Sequence, residues 1–221
     1  MQNPVKKISR FHFITPPYLE KKELIPLLKK VCDGGIDWIQ LRVKDKNLNE
    51  WIDLSQSAFE ICSEHNVTLI INDSPQIAKQ INASGVHLGK LDGSVVQAKV
   101  ILDDSAIVGG TATTLEDVFK LINQKVDYIG LGPYKFTETK HNLSPVLGPN
   151  GSIKIIDNVA QTEIPIILIG GIKLPDGESA FKTGACGIAI PSAITLNKDI
   201  TQAVKNFRKE IHKFVKGEIS I

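Results

Sequence analysis

Eight short apolar runs, separated by longer segments of helical periodicity, constrain this chain more than any other feature. They occupy residues 11–15, 38–43, 68–72, 85–88, 106–110, 128–131, 165–169 and 187–190. Most are nearly continuous in hydrophobicity rather than alternating, the pattern of strands in a parallel sheet covered by helices. Between them, segment 48–65 spaces Trp51, Ile52, Leu54, Ala58, Phe59 and Ile61 as one face of a helix, and 202–215 does the same with Val204, Phe207, Ile211 and Phe214. A β/α alternation that counts to eight within 221 residues predicts an α/β fold, a single-domain (β/α)8 TIM barrel near the small end of its size range. A doubly wound sheet is the competing architecture. The count of eight, and the polar cluster that follows strand after strand, favour the barrel. No linker, low-complexity tract or charge block divides the chain, so residues 1–221 read as one domain.

The composition narrows the partners. A formal charge of +2 gives no broad basic or acidic field, which speaks against nucleic acid or a membrane surface as partner and for small molecules. Cys32, Cys62 and Cys186 are scattered and odd in number, which argues against a disulfide framework or a structural zinc site. The first ten residues carry no apolar signal core, and no stretch of about 18 apolar residues occurs. The expectation is a soluble, cytoplasmic protein, with a homo-oligomer left open.

In a barrel of this kind the active site is built at the C-terminal ends of the strands. The second run yields Gln40, Arg42 and Lys44, alternating so that their side chains share one face. Two cations and an amide on one face suit a di- or polyanion. The third run ends Asn72-Asp73-Ser74-Pro75 and the fourth His87-Leu88-Gly89-Lys90-Leu91-Asp92. Helix capping explains Ser74-Pro75, and either capping or ligand binding explains Asp73 and Asp92. Carboxylates on adjacent strand ends could also hold one Mg²⁺, which takes few protein ligands and completes its shell with water and phosphate oxygens. His87, inside an apolar run, reads as a structural histidine. The fifth run ends in Thr111-Ala112-Thr113-Thr114. The sixth leads into Thr137-Glu138-Thr139-Lys140, where hydroxyls and an ammonium sit together. Gly170-Gly171 and Ser192 follow the last two runs, where barrels often bind phosphate. The irregular stretch 134–151 is long enough to form a lid that orders over substrates.

The ordered set Gln40-x-Arg42-x-Lys44, Asn72-Asp73, His87-Leu88-Gly89-x-x-Asp92, Thr137-x-Thr139-Lys140, Gly170-Gly171 and Ser192-Ala193-Ile194 closely resembles the thiamine-phosphate synthase family. The resemblance implies a transferase joining 4-amino-2-methyl-5-pyrimidinylmethyl diphosphate to a thiazole phosphate, carboxylated or not, with release of pyrophosphate. It implies that Gln40, Leu41, Arg42, Val43, Lys44, Asn72, Thr111 and Lys140 bind the pyrimidine diphosphate, with Arg42, Lys44 and Lys140 stabilising the leaving group. Thr137, Glu138, Thr139, Gly171, Pro191 and Ser192 would hold the thiazole phosphate, and Asp73 and Asp92 would hold Mg²⁺. The implied mechanism is dissociative: the pyrimidinylmethyl–oxygen bond ionises and the thiazole nitrogen attacks the resulting cation.

Three features depart from the family's pattern. Thr113 stands where a histidine is common, and Lys90-Leu91 replaces a frequent Gln-Glu. Pro191, in place of an aliphatic residue, has no N–H to offer. The related thiazole tautomerase, and a non-catalytic barrel that binds thiamine phosphates, are the alternatives. The tautomerase uses the histidine that is missing here.

Overall fold

All eight apolar runs are strands, and each pairs in parallel with the next until the eighth returns to the first. The computed structural model describes residues 6–136 and 145–214. The strands are β1 (Phe11–Ile14), β2 (Trp38–Leu41), β3 (Thr68–Asn72), β4 (Gly85–Leu88), β5 (Ile107–Ala112), β6 (Tyr128–Leu131), β7 (Ile166–Ile169) and β8 (Gly187–Ala189). The helices between them are α1 (Lys21–Asp33), α2 (Leu48–Glu64), α3 (Pro75–Gln80), α4 (Val95–Ile101), α5 (Leu115–Asn123), α6 (Gly148–Asn158), α7 (Gly177–Phe181), α8 (Ser192–Thr195) and α9 (Ile200–Phe214).

Closure separates each strand into an inner and an outer face, because successive side chains point oppositely. On β2, Ile39 and Leu41 face outward and pack with apolar faces of helices such as Leu24, Leu28, Leu54 and Ala58. Trp38 points inward instead, into a smaller cluster with Ile14, Ile70, Ile107, Tyr128, Ile167 and Ala189. Helix starts follow their local chemistry: Ser74 accepts from the Ile77 amide ahead of Pro75, and Ser94 from the Val96 amide. Thr114 and Asp117 form a capping box on α5.

The capping alternative for Asp73 and Asp92 is therefore taken by the serines that follow them. The Gly-Pro-Asn-Gly segment differs from expectation as well. It forms the first turn of α6 rather than part of an irregular stretch, because Pro149 suits a helix start. The remainder of the expected lid, residues 137–144, lies outside the described residues. Among the described residues no helix is long and apolar enough to cross a membrane.

One inner layer is aromatic. The His12 ring stacks on Trp38 with centroids 4.3 Å apart, and Tyr128 sets its edge against both rings at 5.4 Å. His12 Nε2 bonds the Ser9 carbonyl at 2.8 Å, so that nitrogen carries the proton. Burial lowers the His12 pKa from 6.5 to about 3; the Ser9 bond opposes the fall and the neighbouring His87 reinforces it. The folded value lies below the unfolded one, so across this window the unfolded chain binds a proton that the folded chain refuses. The resulting stability is present above pH 6.5 and is lost as pH falls toward 3. His12→Gln should flatten the dependence of unfolding free energy on pH by about 1.4 kcal/mol per pH unit in that window. Urea unfolding at several acidic pH values would show it. Identical slopes for the two proteins would mean that His12 is not the group resisting protonation.

Candidate active site

The C-terminal mouth of the barrel opens into a cavity of about 500 Å³, within the range of small-molecule sites. Its floor is the aromatic layer, with His12 and Tyr128. Its walls carry Ile14, Ile167 and Ile169, and its rim carries Arg42, Lys44, Asp73, Lys90, Asp92 and Thr111. Gln40 and Asn72, one inward step above Trp38 and Ile70, bring amide groups into the interior.

These side chains form a connected network. Gln40 Nε2 donates to Asn72 Oδ1 at 2.5 Å, and Asn72 Nδ2 donates in turn to Asp73 Oδ1. Lys44 Nζ donates to Asp73 Oδ2 at 2.5 Å. The Asp73 and Asp92 carboxyls lie close enough to share a proton, and Asp92 Oδ2 accepts from the Gly89 amide at 2.8 Å. A Cβ on Gly89 would lie 2.5 Å from that same oxygen, so glycine is what admits the Asp92 carboxyl here. Asp73 holds φ at +72°, an uncommon backbone state for a non-glycine residue that costs on the order of 1 kcal/mol. The turn carries its carboxyl toward Lys44 and Asp92. A second hollow of about 420 Å³ opens on the far side of the same Lys44, Asp73 and Asp92 side chains.

The two carboxyls are pushed apart in acidity. Burial raises Asp92, and the hydrogen bond and charge of Asp73 raise it further, to about 6. Burial alone would raise Asp73 too, but hydrogen bonds from Asp92 and Lys44, the Lys44 charge and the Asn72 amide together hold it below its ordinary value. Adjacent carboxylates resist losing both protons unless a cation neutralises them. Two hard oxygen donors beside a small-molecule cavity are what Mg²⁺ accepts from a protein, so the residues present fit that ion. Among the described residues no group of three or more His, Cys, Asp or Glu side chains is placed to hold a metal.

The other expected site residues are placed as follows. Arg42 reaches the cavity, and no other described residue pairs with its guanidinium. Leu41 and Val43 turn their side chains into the sheet–helix core, which leaves only their backbone for a ligand. Gly170 and Gly171 both have positive φ, and a Cβ on Gly171 would come within 2.5 Å of the Phe136 carbonyl. These glycines thus seat the β7 loop against the end of β6, where Lys135 N bonds Gly170 O at 2.9 Å. Pro191 lines the cavity, but its carbonyl already accepts from Thr195 N and Oγ1, which leaves the Ser192 N–H for a ligand. Thr137, Glu138, Thr139 and Lys140 lie outside the described residues.

The residues that sequence reasoning missed lie below the rim. His87 is satisfied, as a structural histidine should be, yet it faces the cavity and bonds both Tyr128 Oη at 2.9 Å and Thr111 Oγ1 at 2.8 Å. Neither Tyr128 nor His12 carries a motif. Their inward positions follow only from the strand register.

A closed parallel barrel whose C-terminal mouth gathers cations, hydroxyls and a carboxylate pair around one cavity has the architecture of a (β/α)8 enzyme. The sequence model of the family described as thiamine monophosphate synthase matches residues 11–194, and the chain belongs to that family, one of transferases in thiamine biosynthesis. A thiamine-phosphate synthase of Flavobacterium psychrophilum is 40% identical over 83% of this chain and 90% of its own length. One from Phocaeicola vulgatus is 43% identical over 77% of this chain and 83% of its own. The solved structure of thiamine phosphate pyrophosphorylase from Pyrococcus furiosus superposes with a TM-score of 0.83 at 26% identity, covering 94% of this chain and 97% of that one.

Replacing Asp73 by Asn removes the charge that raises Asp92. In metal-free protein the Asp92 carboxyl should then titrate below about 6, nearer its ordinary 3.8. Carbon-13 NMR of labelled aspartate would follow it. An unchanged midpoint would mean that the two carboxyls do not interact.

Proposed function

We propose that the enzyme couples an aminopyrimidinylmethyl diphosphate to a thiazole phosphate in a magnesium-dependent reaction, giving thiamine phosphate and pyrophosphate. One observation carries this reading. Arg42, which no described side chain neutralises, stands at the same rim as the Lys44–Asp73–Asp92 network. Cations beside paired carboxylates match a diphosphate that arrives with a divalent ion. Asp73 and Asp92 would hold Mg²⁺, which supplies positive charge where the leaving diphosphate gathers negative charge.

The chain's own groups account for the rest. Arg42 and Lys44 bind the diphosphate and stabilise its growing charge, an effect enlarged in a site that excludes water. The Gln40–Asn72 amide pair and the apolar walls of Ile14, Ile167 and Ile169 suit a flat, nitrogen-bearing ring. Breaking the pyrimidinylmethyl–oxygen bond leaves a carbocation that the aminopyrimidine stabilises through its own π system. The thiazole nitrogen then supplies the electron pair for the new carbon–nitrogen bond. No protein nucleophile is required, and the contribution of the fold is to hold both reactants within attacking distance. The thiazole phosphate would lie toward the β7 and β8 loops, against Gly171 and the Ser192 N–H, with Thr137, Thr139 and Lys140 completing the two anion sites.

The test is a coupling assay with both substrates and Mg²⁺, read as fluorescent thiochrome, with an EDTA control. Product should form and should vanish with the chelator. Asp73→Ala should reduce turnover by roughly 100-fold or more while thiazole phosphate still binds. Normal turnover by that variant would refute the metal assignment. Absence of product from folded native protein that still binds thiazole phosphate would move the reading to the tautomerase or to a non-catalytic binder.

A further inference from the structure

The group that meets the cavity at β5 is the Thr111 hydroxyl, and a hydroxyl can either donate to an anion or present it with lone pairs. Its choice is made below the rim. Parallel pairing sets His87 beside Gly109 and Gly109 beside Tyr128, so the three share one level across β4, β5 and β6. Gly109 has no side chain to obstruct the path between its neighbours. A Cβ there would come within 2.2 Å of Tyr128 Cζ and 2.7 Å of its hydroxyl oxygen. Through this gap Tyr128 Oη reaches His87 Nδ1 at 2.9 Å. The other ring nitrogen, Nε2, lies 2.8 Å from Thr111 Oγ1.

We infer that Tyr128 is a positioning residue: its phenol fixes His87 as the Nε2–H tautomer, which turns the Thr111 hydroxyl into a hydrogen-bond donor toward an anionic ligand oxygen. The argument is a count of protons. The phenol is fully buried, and His87 is its hydrogen-bond partner among the described residues. Were Nδ1 to carry the hydrogen, the phenol would accept it, and its own O–H would be left buried without an acceptor. A buried unsatisfied donor costs about 1–3 kcal/mol, whereas an acceptor with a spare lone pair is better tolerated. The phenol therefore donates to Nδ1, and Nε2 carries the ring hydrogen and donates to Thr111 Oγ1. With that lone pair engaged, the Thr111 hydrogen is directed away from His87, into the cavity that Thr111 lines. The opposite tautomer would draw this hydrogen onto Nε2 and turn a lone pair toward the anion. One proton, on the neighbouring strand β6, thus decides whether the site attracts or repels charge at this point.

That the anion is a diphosphate rests on the proposed function; the direction of the chain does not. The first measurement is therefore nitrogen-15 NMR of ring-labelled histidine in native, ligand-free protein, which needs no turnover. It should show His87 with a pyrrole-type Nε2 and a pyridine-type Nδ1, and the reverse pattern overturns the inference. Tyr128→Phe removes only the hydroxyl. It should shift the ring toward a mixture of tautomers and lower kcat by roughly 10- to 100-fold, the effect of one hydrogen bond to a charged group. The KM for thiazole phosphate should hardly move. His87→Gln provides the control, because its amide can donate to Thr111 without help from residue 128. In that background Tyr128→Phe should have less than a 3-fold further effect on kcat. Equal losses in both backgrounds, or full activity of Tyr128→Phe alone, would overturn the role of the phenol. Failure of the proposed function looks different: native protein would make no product while its histidine spectrum kept the predicted pattern.

Discussion

Closing the parallel sheet into a barrel is the constraint on which everything else here depends. Once the eight strands meet, every second residue must fill a fixed interior volume, and large groups can enter only opposite small ones. Trp38 and Tyr128 occupy one layer, and glycine at 109 together with Ala189 nearby gives them room. The same register that packs the floor supports the site. One inward step above the aromatic layer stand Gln40 and Asn72, and beyond them the strands release Arg42, Lys44 and Asp73 into the mouth. The transition from apolar to charged along a strand is a transition in depth.

Electrostatic balance governs that mouth. Lys44 provides one neutralising charge for the Asp73–Asp92 pair, and below about pH 6 a proton on Asp92 provides another. Both arrangements can be exchanged. The proposed divalent ion would compete with that proton, and the proposed diphosphate would compete with Asp73 for Lys44. The backbone strain at Asp73 belongs to this balance, since a relaxed strand end would point the carboxyl elsewhere. Arg42 is different, because no described side chain competes with a ligand for it.

Much of this was legible in the sequence. Three strands, 68–72, 85–88 and 128–131, could be read to the residue, and the starts of 11–15, 38–43 and 187–190 as well, because apolar runs meet polar residues abruptly there. The alternation of Gln40, Arg42 and Lys44 predicted a shared face, and the carboxylates do meet. Two kinds of feature escaped. Side chains at Leu41 and Val43 turn outward by the same alternation that turns Arg42 inward, so a contiguous sequence block could not all face one ligand. The His87–Tyr128 contact joins residues 41 apart, and nothing local announces it. It requires the relative register of β4, β5 and β6, which only closure fixes.

The positions where the chain departs from its family's pattern meet in space. Lys90 Nζ donates to Thr113 Oγ1 at 3.0 Å and pairs with Asp117 Oδ2 at 2.7 Å. Asp117 Oδ2 also accepts from Thr113 N and Oγ1 while it caps α5. A histidine at 113 would place an aromatic ring where the lysine now bridges the β4 and β5 loops. The lysine and the threonine thus act together in one contact. Because Lys90 lies two residues before Asp92, the bridge also ties the loop that presents Asp92 to the start of α5. Its charge is about half exposed, so the stabilisation it adds is small, within about 1 kcal/mol. Its consequence is positional: the bridge anchors the loop that carries Asp92 to the start of α5.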